Sequence, residues 1–536
     1  MSEPIVVVGS GPSGLHFAQT LLEKGHAVRL LDVGHPRPDA ALSDLDLDGL
    51  KRSLPDPTRY FLGDRWQSLV LPGEDSEYYG FPPSKDYVFR GVDGFEWRAS
   101  GFEPLLSFAA GGLAEAWTGG CYPFHDGDLL DFPFDYAALA PHYARVAARI
   151  GISGVADDLA GPFPVHAGLQ PPLDLDLHSA TLLERYEHHR QVASARLQCR
   201  MGRARLATLS RPHAGRAACS YTGRCLWGCP SDALYTPAVT LRECLGHPRF
   251  EYLPGRLVSH FRFSQGGRIH QVIARRAADG AWESFDVARL VLAAGTLATS
   301  RIVLESIRRD SAESVELGGL MDNRQVLMPF VNLRLIGRPF ESASYQYHQL
   351  AIGFDPGGPA EYVHGLVTTL KSALVHPIVA ALPTSIGSGL RLFRDLHAAL
   401  GLVNINFSDR RREENRLGLE LQPGSRARLA IDYSPAAGEA ARVRRATRRF
   451  RRLLWQLDCV APPWMTRMRP MGASVHYAGT LPMTSDPRPL TTDPQCRSRD
   501  FPNLWIADGA TFPSLPAKNL TFTLMANATR IAEESF

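Results

Sequence analysis

Residues 5–14 read IVVVGSGPSG and decide the fold class. A short, β-branched apolar run leads directly into three glycines spaced as Gly-x-Gly-x-x-Gly. The following residues, 15–24, carry apolar side chains at helical spacing, and a second apolar run over 27–31 ends at Asp32. This order of strand, turn, helix and strand predicts the βαβ unit of a Rossmann-like, dinucleotide-binding domain.

Each residue of this fingerprint has a separate physical role in holding a dinucleotide. Gly9 permits the tight turn, Gly11 lets the backbone approach a pyrophosphate, and Gly14 allows the helix to pack closely on the strand. The helix N-terminus at Ser13 offers unpaired N–H groups to the phosphates. Asp32 lies 18 residues after Gly14, where a carboxylate can accept hydrogen bonds from ribose hydroxyls. The fingerprint by itself does not separate NAD from FAD.

Composition places the chain among globular proteins. Its 536 residues are 44% hydrophobic and 21% charged, which supports a large core and argues against wholesale disorder. The net charge of +3 does not suggest a nucleic-acid binder, and eight cysteines are too few for a disulfide-built scaffold. Because we find no secretion signal before the first strand and no long uninterrupted apolar run, we expect a cytoplasmic protein without an integral membrane segment.

Two polar side chains near the C-terminus are candidates for a reaction centre. His476 lies in a segment that reads VHYAGTLPM, and Asn519 directly precedes the final helix, which we predict over 524–533. Between them, residues 503–510 read NLWIADGA, which predicts a strand running into a tight turn.

These three pieces resemble, in order, the C-terminal pattern of the glucose–methanol–choline (GMC) oxidoreductases, a family of FAD enzymes. That pattern is His-x-x-Gly-Thr, a strand closing in Ala-Asp-Ala or Ala-Asp-Gly, and Asn-Pro-Thr or His before the last helix. His476 and Asn519 are 43 residues apart, as is typical of the family, whereas Leu520 stands where proline is usual. Within the family the chain is most similar to pyranose oxidases and fructose dehydrogenase-like members.

The resemblance implies an α/β fold with two functional parts. One is a Rossmann-like FAD-binding domain with a three-layer ββα architecture, and the other is an α+β substrate domain built on an antiparallel sheet. The expected segments are the FAD-binding parts 1–120, 201–309 and 470–536, a lid or connection at about 36–104 within the first of them, a connecting, substrate-side segment 121–200, and the substrate domain 310–469.

The resemblance also implies which residues contact FAD. Residues 110–120 are similar to the family's glycine-rich loop over the flavin, and residues 293–300 resemble the turn that returns to the cofactor. Where pyranose oxidases carry a histidine bonded to the flavin, this chain has Ala116, so we expect non-covalent FAD. The expected contacts are Gly9, Gly11, Ser13, Gly14, Asp32, Gly112, Trp117, Thr118, Val258, Ala294, Asp508, Gly509, Ala510 and Thr521.

Alcohol oxidation by a flavin gives the candidate pair its roles. A base must remove the hydroxyl proton while a hydride passes to N5 of the flavin, and histidine is the usual base near neutral pH. A carboxamide can hydrogen-bond the substrate oxygen and stabilise the developing alkoxide. We therefore predict His476 as the base and Asn519 as the hydrogen-bonding partner, the same roles that the resemblance implies.

We expect an FAD-dependent alcohol oxidase or dehydrogenase acting on a polyol-like substrate such as a sugar, glycoside or cyclitol. The expected electron acceptor is O2 or an unidentified redox partner, and a homo-oligomer is left open. The alternatives are oxidation of a non-sugar alcohol, such as a sterol or a natural-product intermediate, and a lyase, because hydroxynitrile lyases share this family. A flavoprotein scaffold with a degenerate site is a third class, against which the intact His476 and Asn519 argue.

Two further features of the sequence are open to more than one interpretation. Cys219, Cys225 and Cys229 have gaps of five and three residues, unlike a zinc ribbon, so structural thiols are favoured over a redox role, and we expect no metal. Residues 442–452 predict an arginine-rich helix with one apolar side. Its basic face is either a solvated surface or a site for an anionic substrate or an acidic partner.

Overall fold

The computed structural model describes most of the chain, namely residues 3–38, 43–69, 81–311, 314–358, 361–371, 375, 378–379, 383–421 and 427–536. The helices are α1 Pro12–Glu23, α2 Leu47–Ser53, α3 Pro57–Leu62, α4 Asp86–Phe89, α5 Tyr136–Ile150, α6 Leu177–Leu197, α7 Pro237–Leu245, α8 Thr296–Ser311, α9 Ile386–Leu396, α10 Glu439–Gln456 and α11 Thr521–Ser535.

The strands run from β1 near the N-terminus to β25 just before the final helix. They are β1 Ile5–Val8, β2 Val28–Leu31, β3 Trp97–Ser100, β4 Ile152–Ser153, β5 Leu169–Gln170, β6 Cys199–Arg203, β7 Phe250–Leu253, β8 Arg256–Phe263, β9 Ile269–Arg276, β10 Trp282–Asp286, β11 Leu290–Leu292, β12 Leu317–Gly318, β13 Met321–Asp322, β14 Gln325–Asn332, β15 Leu350–Phe354, β16 Val363–Thr369, β17 Leu400–Asn406, β18 Asp409–Arg410, β19 Arg416–Leu421, β20 Ala427–Asp432, β21 Cys459–Val460, β22 Arg467–Met468, β23 Tyr477–Ala478, β24 Leu504–Ile506 and β25 Ser514–Leu515.

A parallel sheet in the order β24–β11–β1–β2–β7 forms the centre of the first unit. Its strands are short, buried, branched apolar runs, as expected for a parallel sheet that is covered on both faces. Val7 packs into a core shared with α1 and α11, whereas Val6 and Val8 pack into a core shared with α8 and the antiparallel strands β8 and β9. The result is the expected Rossmann-like, three-layer ββα arrangement.

A seven-stranded antiparallel sheet forms the second unit, in the order β21–β14–β17–β16–β15–β6, with β22 paired to β14. Side chains alternate between its two faces. Met328 and Val403 pack against α6 and α10 on one face, and Leu366 and Asn404, which are paired across β16 and β17, line a cavity on the other. The strand β6 comes from outside the expected substrate segment 310–469, so this sheet draws on a wider part of the chain.

The expected local elements agree closely with the structure. The two N-terminal strands appear as β1 and β2, the final helix begins three residues earlier than expected, and the arginine-rich segment lies within α10. The expected lid or connection contains α2, α3, α4 and β3, and β3 pairs in parallel with β20. Within the described residues, no helix combines the length and the apolar character that a membrane crossing requires.

Candidate active site

A continuous cavity of about 770 Å³ lies between the parallel sheet and the antiparallel sheet. This volume is in the range of small-molecule and cofactor sites. The structure brings most of the expected site residues to this cavity, whereas Gly14 and Ala510 do not line it. Those that line it are Gly9, Gly11, Ser13, Asp32, Gly112, Trp117, Thr118, Val258, Ala294, His476, Asp508, Gly509, Asn519 and Thr521.

The glycine fingerprint leaves open space where a dinucleotide phosphate would lie. Gly9 has φ +100°, and a Cβ on it would lie 2.5 Å from the carbonyl oxygen of Ala293. A Cβ on Gly14 would lie 2.1 Å from the carbonyl oxygen of Gly9, so Gly14 serves the packing of α1 against the turn. A Cβ on Gly11 would meet nothing within 4 Å, which marks the open side of the loop.

The polar groups at this end of the cavity also suit a dinucleotide. α1 begins after Gly11 without a side-chain cap, which leaves its first N–H groups available to a phosphate. Ser10 Oγ donates to Asp32 and accepts from Gly111 N at 2.9 Å, so it joins the two glycine-rich loops. Burial raises the pKa of Asp32 to about 7 because it disfavours the charged carboxylate. Hydrogen-bond donors such as ribose hydroxyls would stabilise that charged form.

Two of the expected cofactor contacts already have protein partners. The carboxylate of Asp508 accepts from Gly295 N at 2.9 Å, Thr299 Oγ1 at 2.5 Å and Ala510 N at 3.0 Å, so it joins the last strand of the sheet to the start of α8. The indole N–H of Trp117 donates to the carbonyl oxygen of Tyr235 at 2.6 Å. Backbone and ring surface therefore remain the parts of these residues that can contact a ligand.

His476 is held in one orientation by Asn323, which sequence analysis did not identify. Nδ2 of Asn323 donates to the carbonyl oxygens of Phe407 and Pro516 at 2.8 and 3.0 Å, so its Oδ1 faces the imidazole. Because that oxygen can only accept, His476 Nδ1 carries the hydrogen and donates to it at 3.0 Å. The remaining ring nitrogen, Nε2, therefore has a lone pair that can take a proton.

The loop before His476 is fixed by a buried carboxyl group. Asp322 accepts from Gly472 N at 2.6 Å and from Ser474 Oγ, and Ser474 Oγ in turn accepts from His476 N at 3.0 Å. Burial raises the pKa of Asp322 to about 7 and lowers the pKa of His476 to about 4. The imidazole is therefore neutral at neutral pH, as a general base must be.

Asn519 follows a lysine that is completely buried. Lys518 Nζ donates to Asp128, to the carbonyl oxygen of Pro162 at 2.5 Å and to that of Pro123 at 3.3 Å. These bonds anchor the turn that carries Asn519. The Oδ1 atom of Asn519 is buried and has no hydrogen-bond partner among the described residues. In the sequence, the only signal for Lys518 is its position directly before Asn519, in a chain that contains just five lysines.

Neither the three cysteines nor the arginines of α10 line the cavity, although Leu226 and Trp227, which lie between Cys225 and Cys229, do. Cys219, Cys225 and Cys229 carry free thiols, and burial raises the pKa of Cys219 to about 11. The apolar side of α10 packs against the antiparallel sheet on the face opposite the cavity, and none of its arginines lines the cavity. Arg444 and Arg448 are exposed, which favours the solvated-surface interpretation over an anionic substrate bound in this cavity.

Residues 412–528 match the family model described as GMC oxidoreductase. The chain carries a GMC oxidoreductase domain. A paromamine 6'-oxidase from Streptomyces fradiae is 25% identical, and the alignment covers 99% of this chain and 90% of the relative. The large subunit of a fructose dehydrogenase from Gluconobacter japonicus is 22% identical, with 99% of this chain and 97% of the relative covered.

The other comparisons agree with this assignment. A 2-methyl-1,2-propanediol dehydrogenase from Mycolicibacterium austroafricanum is 23% identical, with 99% of this chain and 94% of the relative covered. The crystal structure of a pyridoxine 4-oxidase from Mesorbium loti superposes with a TM-score of 0.59 at 15% identity, covering 100% of this chain and 99% of the other. The expected family and fold class are confirmed, and the relatives support an oxidoreductase.

Proposed function

We propose that this GMC oxidoreductase is an FAD-dependent alcohol oxidase or dehydrogenase that converts CH–OH to C=O on a polyol-like substrate such as a sugar, glycoside or cyclitol. The observation that carries the proposal is the convergence of three features on one cavity. These are the dinucleotide fingerprint, the neutral His476 with its Nε2 lone pair, and Asn519, whose residue lines the same cavity. Relatives named for paromamine, fructose and a propanediol support the preference for substrates with several hydroxyl groups.

FAD would be held by the fingerprint loop, Asp32, the 110–120 loop and the start of α11. When bound, FAD supplies the acceptor for the hydride. Ala116 ends the turn Gly112–Ala116 in that loop and offers no nucleophilic atom, which supports non-covalent binding. Thr521 begins α11, whose first turn has no side-chain cap, so a second helix N-terminus faces the cavity.

The protein's own groups would handle the proton and the substrate oxygen. His476 takes the hydroxyl proton at Nε2, and Asn323 keeps the other ring nitrogen protonated throughout. The Nδ2 amide group of Asn519 donates a hydrogen bond to the same oxygen and stabilises the negative charge that develops on it. Since both side chains lie on anchored loops, little reorganisation is needed at the moment of reaction.

A substrate screen under anaerobic conditions tests this function. We expect a hexose or a cyclitol to bleach the absorbance of the bound flavin, with the carbonyl product detected by mass spectrometry. Peroxide release in air would identify an oxidase, and turnover with dyes alone would identify a dehydrogenase. Acid precipitation should leave all flavin in the supernatant. A spectrum that no alcohol changes, together with cleavage of a cyanohydrin, would replace the proposal with a lyase.

Asn323 provides a prediction about proton transfer. The Asn323→Ala variant removes the acceptor that fixes the His476 tautomer, so we expect kcat to fall by about 10–100-fold. The Asn323→Asp variant keeps an acceptor but adds negative charge, which favours the protonated imidazole. In the pH profile of kcat/KM for the Asn323→Asp variant, the acidic limb should therefore move to higher pH. A rate loss with an unmoved limb would show that Asn323 has only a structural role.

A further inference from the structure

Two polar side chains of the antiparallel sheet have no role in the proposed reaction. Asn404 on β17 and Thr368 on β16 are both half-buried, and both line the cavity. Their strands lie inside the sheet, where Val403 and Val367 pack against α6 and α10 on the opposite face. Because successive side chains of a strand point to opposite faces, the accessible surface of Asn404 and Thr368 faces the cavity.

The protein leaves hydrogen-bonding atoms of both side chains free for a ligand. Within the described part of the chain, no group bonds to the Asn404 carboxamide or to the Thr368 hydroxyl. Oδ1 of Asn404 is buried, whereas Asn404 Nδ2 and Thr368 Oγ1 are not among the buried unpartnered atoms and are therefore accessible. An amide N–H donates, and a hydroxyl both donates and accepts, so the pair suits a ligand with hydroxyl groups.

Apolar side chains alternate with these two polar groups. Leu366 lies opposite Asn404 and Leu402 lies opposite Thr368 across the paired strands, and both leucines line the cavity. The two polar residues thus occupy diagonal positions, about 7–8 Å apart. A surface of this kind matches a sugar ring, which carries hydroxyl groups at its edge and C–H groups on its faces.

The charge near this surface is compensated within the protein. Lys371, three residues after Thr368, forms a buried ion pair with Asp176 and donates to Thr369 Oγ1 at 2.7 Å. Because the carboxylate already balances the ammonium, Lys371 gives little attraction for an anionic ligand. The surface around Asn404 and Thr368 therefore suits a neutral ligand.

This surface lies some distance from the candidate base along the sheet. Asn323, which holds His476, donates to the carbonyl oxygen of Phe407 at 2.8 Å. Asn404 is three residues before Phe407, and the residue opposite Thr368 is five residues before it, which gives about 10 and 17 Å along the strand. The cavity extends that far, since it is lined from the first to the seventh residue of β14. A molecule that reaches from the base to both polar groups is longer than one hexose ring.

We propose that Asn404 and Thr368 form a subsite for a second sugar ring, so that the substrate is a neutral glycoside of at least two rings that is oxidised on the ring next to His476. This inference rests on the proposed function and narrows its substrate class. Asn404 Nδ2 and the Thr368 hydroxyl bind oxygen atoms of the second ring, and the leucines beside them contact its C–H face.

Glucose with maltose and cellobiose, and mannose with mannobiose, form matched sets of probes that differ by one ring. The holoenzyme is first reduced with dithionite, so that no probe is oxidised, and affinities are measured by calorimetry. We expect the wild type to bind at least one disaccharide about 10–100-fold more tightly than its monosaccharide. Asn404→Leu and Thr368→Val should each lower that ratio by about 3–10-fold, whereas Thr368→Ser, which keeps the hydroxyl, should retain most of it.

Thr466→Val is the control, because Thr466 also has a hydroxyl without a partner among the described residues but does not line the cavity. It should leave the ratio unchanged. A ratio near one in every set, or a disaccharide preference that survives the double variant Asn404→Leu with Thr368→Val, overturns the inference. Because binding to the reduced enzyme needs no turnover, a preference lost in the double variant supports the subsite even if no sugar bleaches the flavin. That absence of bleaching would count against the proposed function alone.

Discussion

Replacing His476 with alanine is expected to slow the reduction of the flavin by substrate by about 10²–10⁴-fold, without loss of bound FAD. The variant removes the proposed base for the hydroxyl proton and leaves the residues at the glycine-rich end of the cavity unchanged. Stopped-flow absorbance under anaerobic conditions measures the rate, and the visible spectrum reports cofactor content. His142→Ala is a matched control, since burial lowers the pKa of His142 to about 4 as well, but His142 does not line the cavity.

The pH dependence of the wild-type enzyme belongs to the same prediction. Because burial lowers the pKa of His476 to about 4, the base stays unprotonated from pH 5 upward. We expect the acidic limb of kcat/KM that reports protonation of His476 to lie near pH 4, whereas a change near pH 7 would report Asp322, which fixes the loop before His476. An unchanged rate in His476→Ala would remove this residue from the mechanism, and an acidic limb near pH 6.5 that persists in the Asp322→Asn variant would contradict the low pKa of His476.

Replacing Lys518 with methionine is expected to destabilise the protein by about 3–5 kcal/mol. The variant keeps most of the side-chain volume but leaves the carboxylate of Asp128 buried without its ammonium partner. Although burial alone would raise the pKa of Asp128, Lys518 and His125 hold it below its usual range, so the carboxyl is charged in the folded protein. Removing one partner of such a pair leaves an uncompensated charge.

Thermal unfolding followed by circular dichroism measures this loss. The double variant Lys518→Met with Asp128→Asn should recover part of the stability, since it removes the charge that was left behind. Lys51→Met, at an exposed lysine of α2, should change stability by no more than about 0.5 kcal/mol. A single variant as stable as the wild type would show that the ion pair does not anchor the Asn519 turn.

Sequence patterns predicted the helices and strands whose conformation depends on residues that are close together in the sequence. The β-branched run before Gly9 and the spacing of the three glycines were sufficient to predict β1, α1 and β2, because each residue there is constrained by its neighbours in sequence. The same holds for the apolar side of α10. The candidate pair His476 and Asn519 came from a motif, and the fold brings both to one cavity.

The supporting residues could not be predicted because their partners are far away in sequence. Asn323 and His476 are 153 positions apart, and Lys518 and Asp128 are 390 positions apart. No periodicity links such pairs, and only the packed fold brings them together. Asp508 could not be assigned from the sequence for the same reason. Its carboxylate accepts hydrogen bonds from Gly295 and Thr299, which are distant in sequence, so those oxygen atoms are already partnered before a ligand binds.

The strand order of the parallel sheet has a consequence for how the protein is made. β11 pairs with β1 on one side and with Leu504–Ile506 on the other, and the last helix covers α1. A nascent chain therefore exposes the apolar face of its first helix until almost the whole sequence has left the ribosome. Such late closure slows folding and favours aggregation of unfinished chains. Because Asp508, Asn519 and Thr521 also line the cavity, the cavity is completed only after this C-terminal segment has been synthesised.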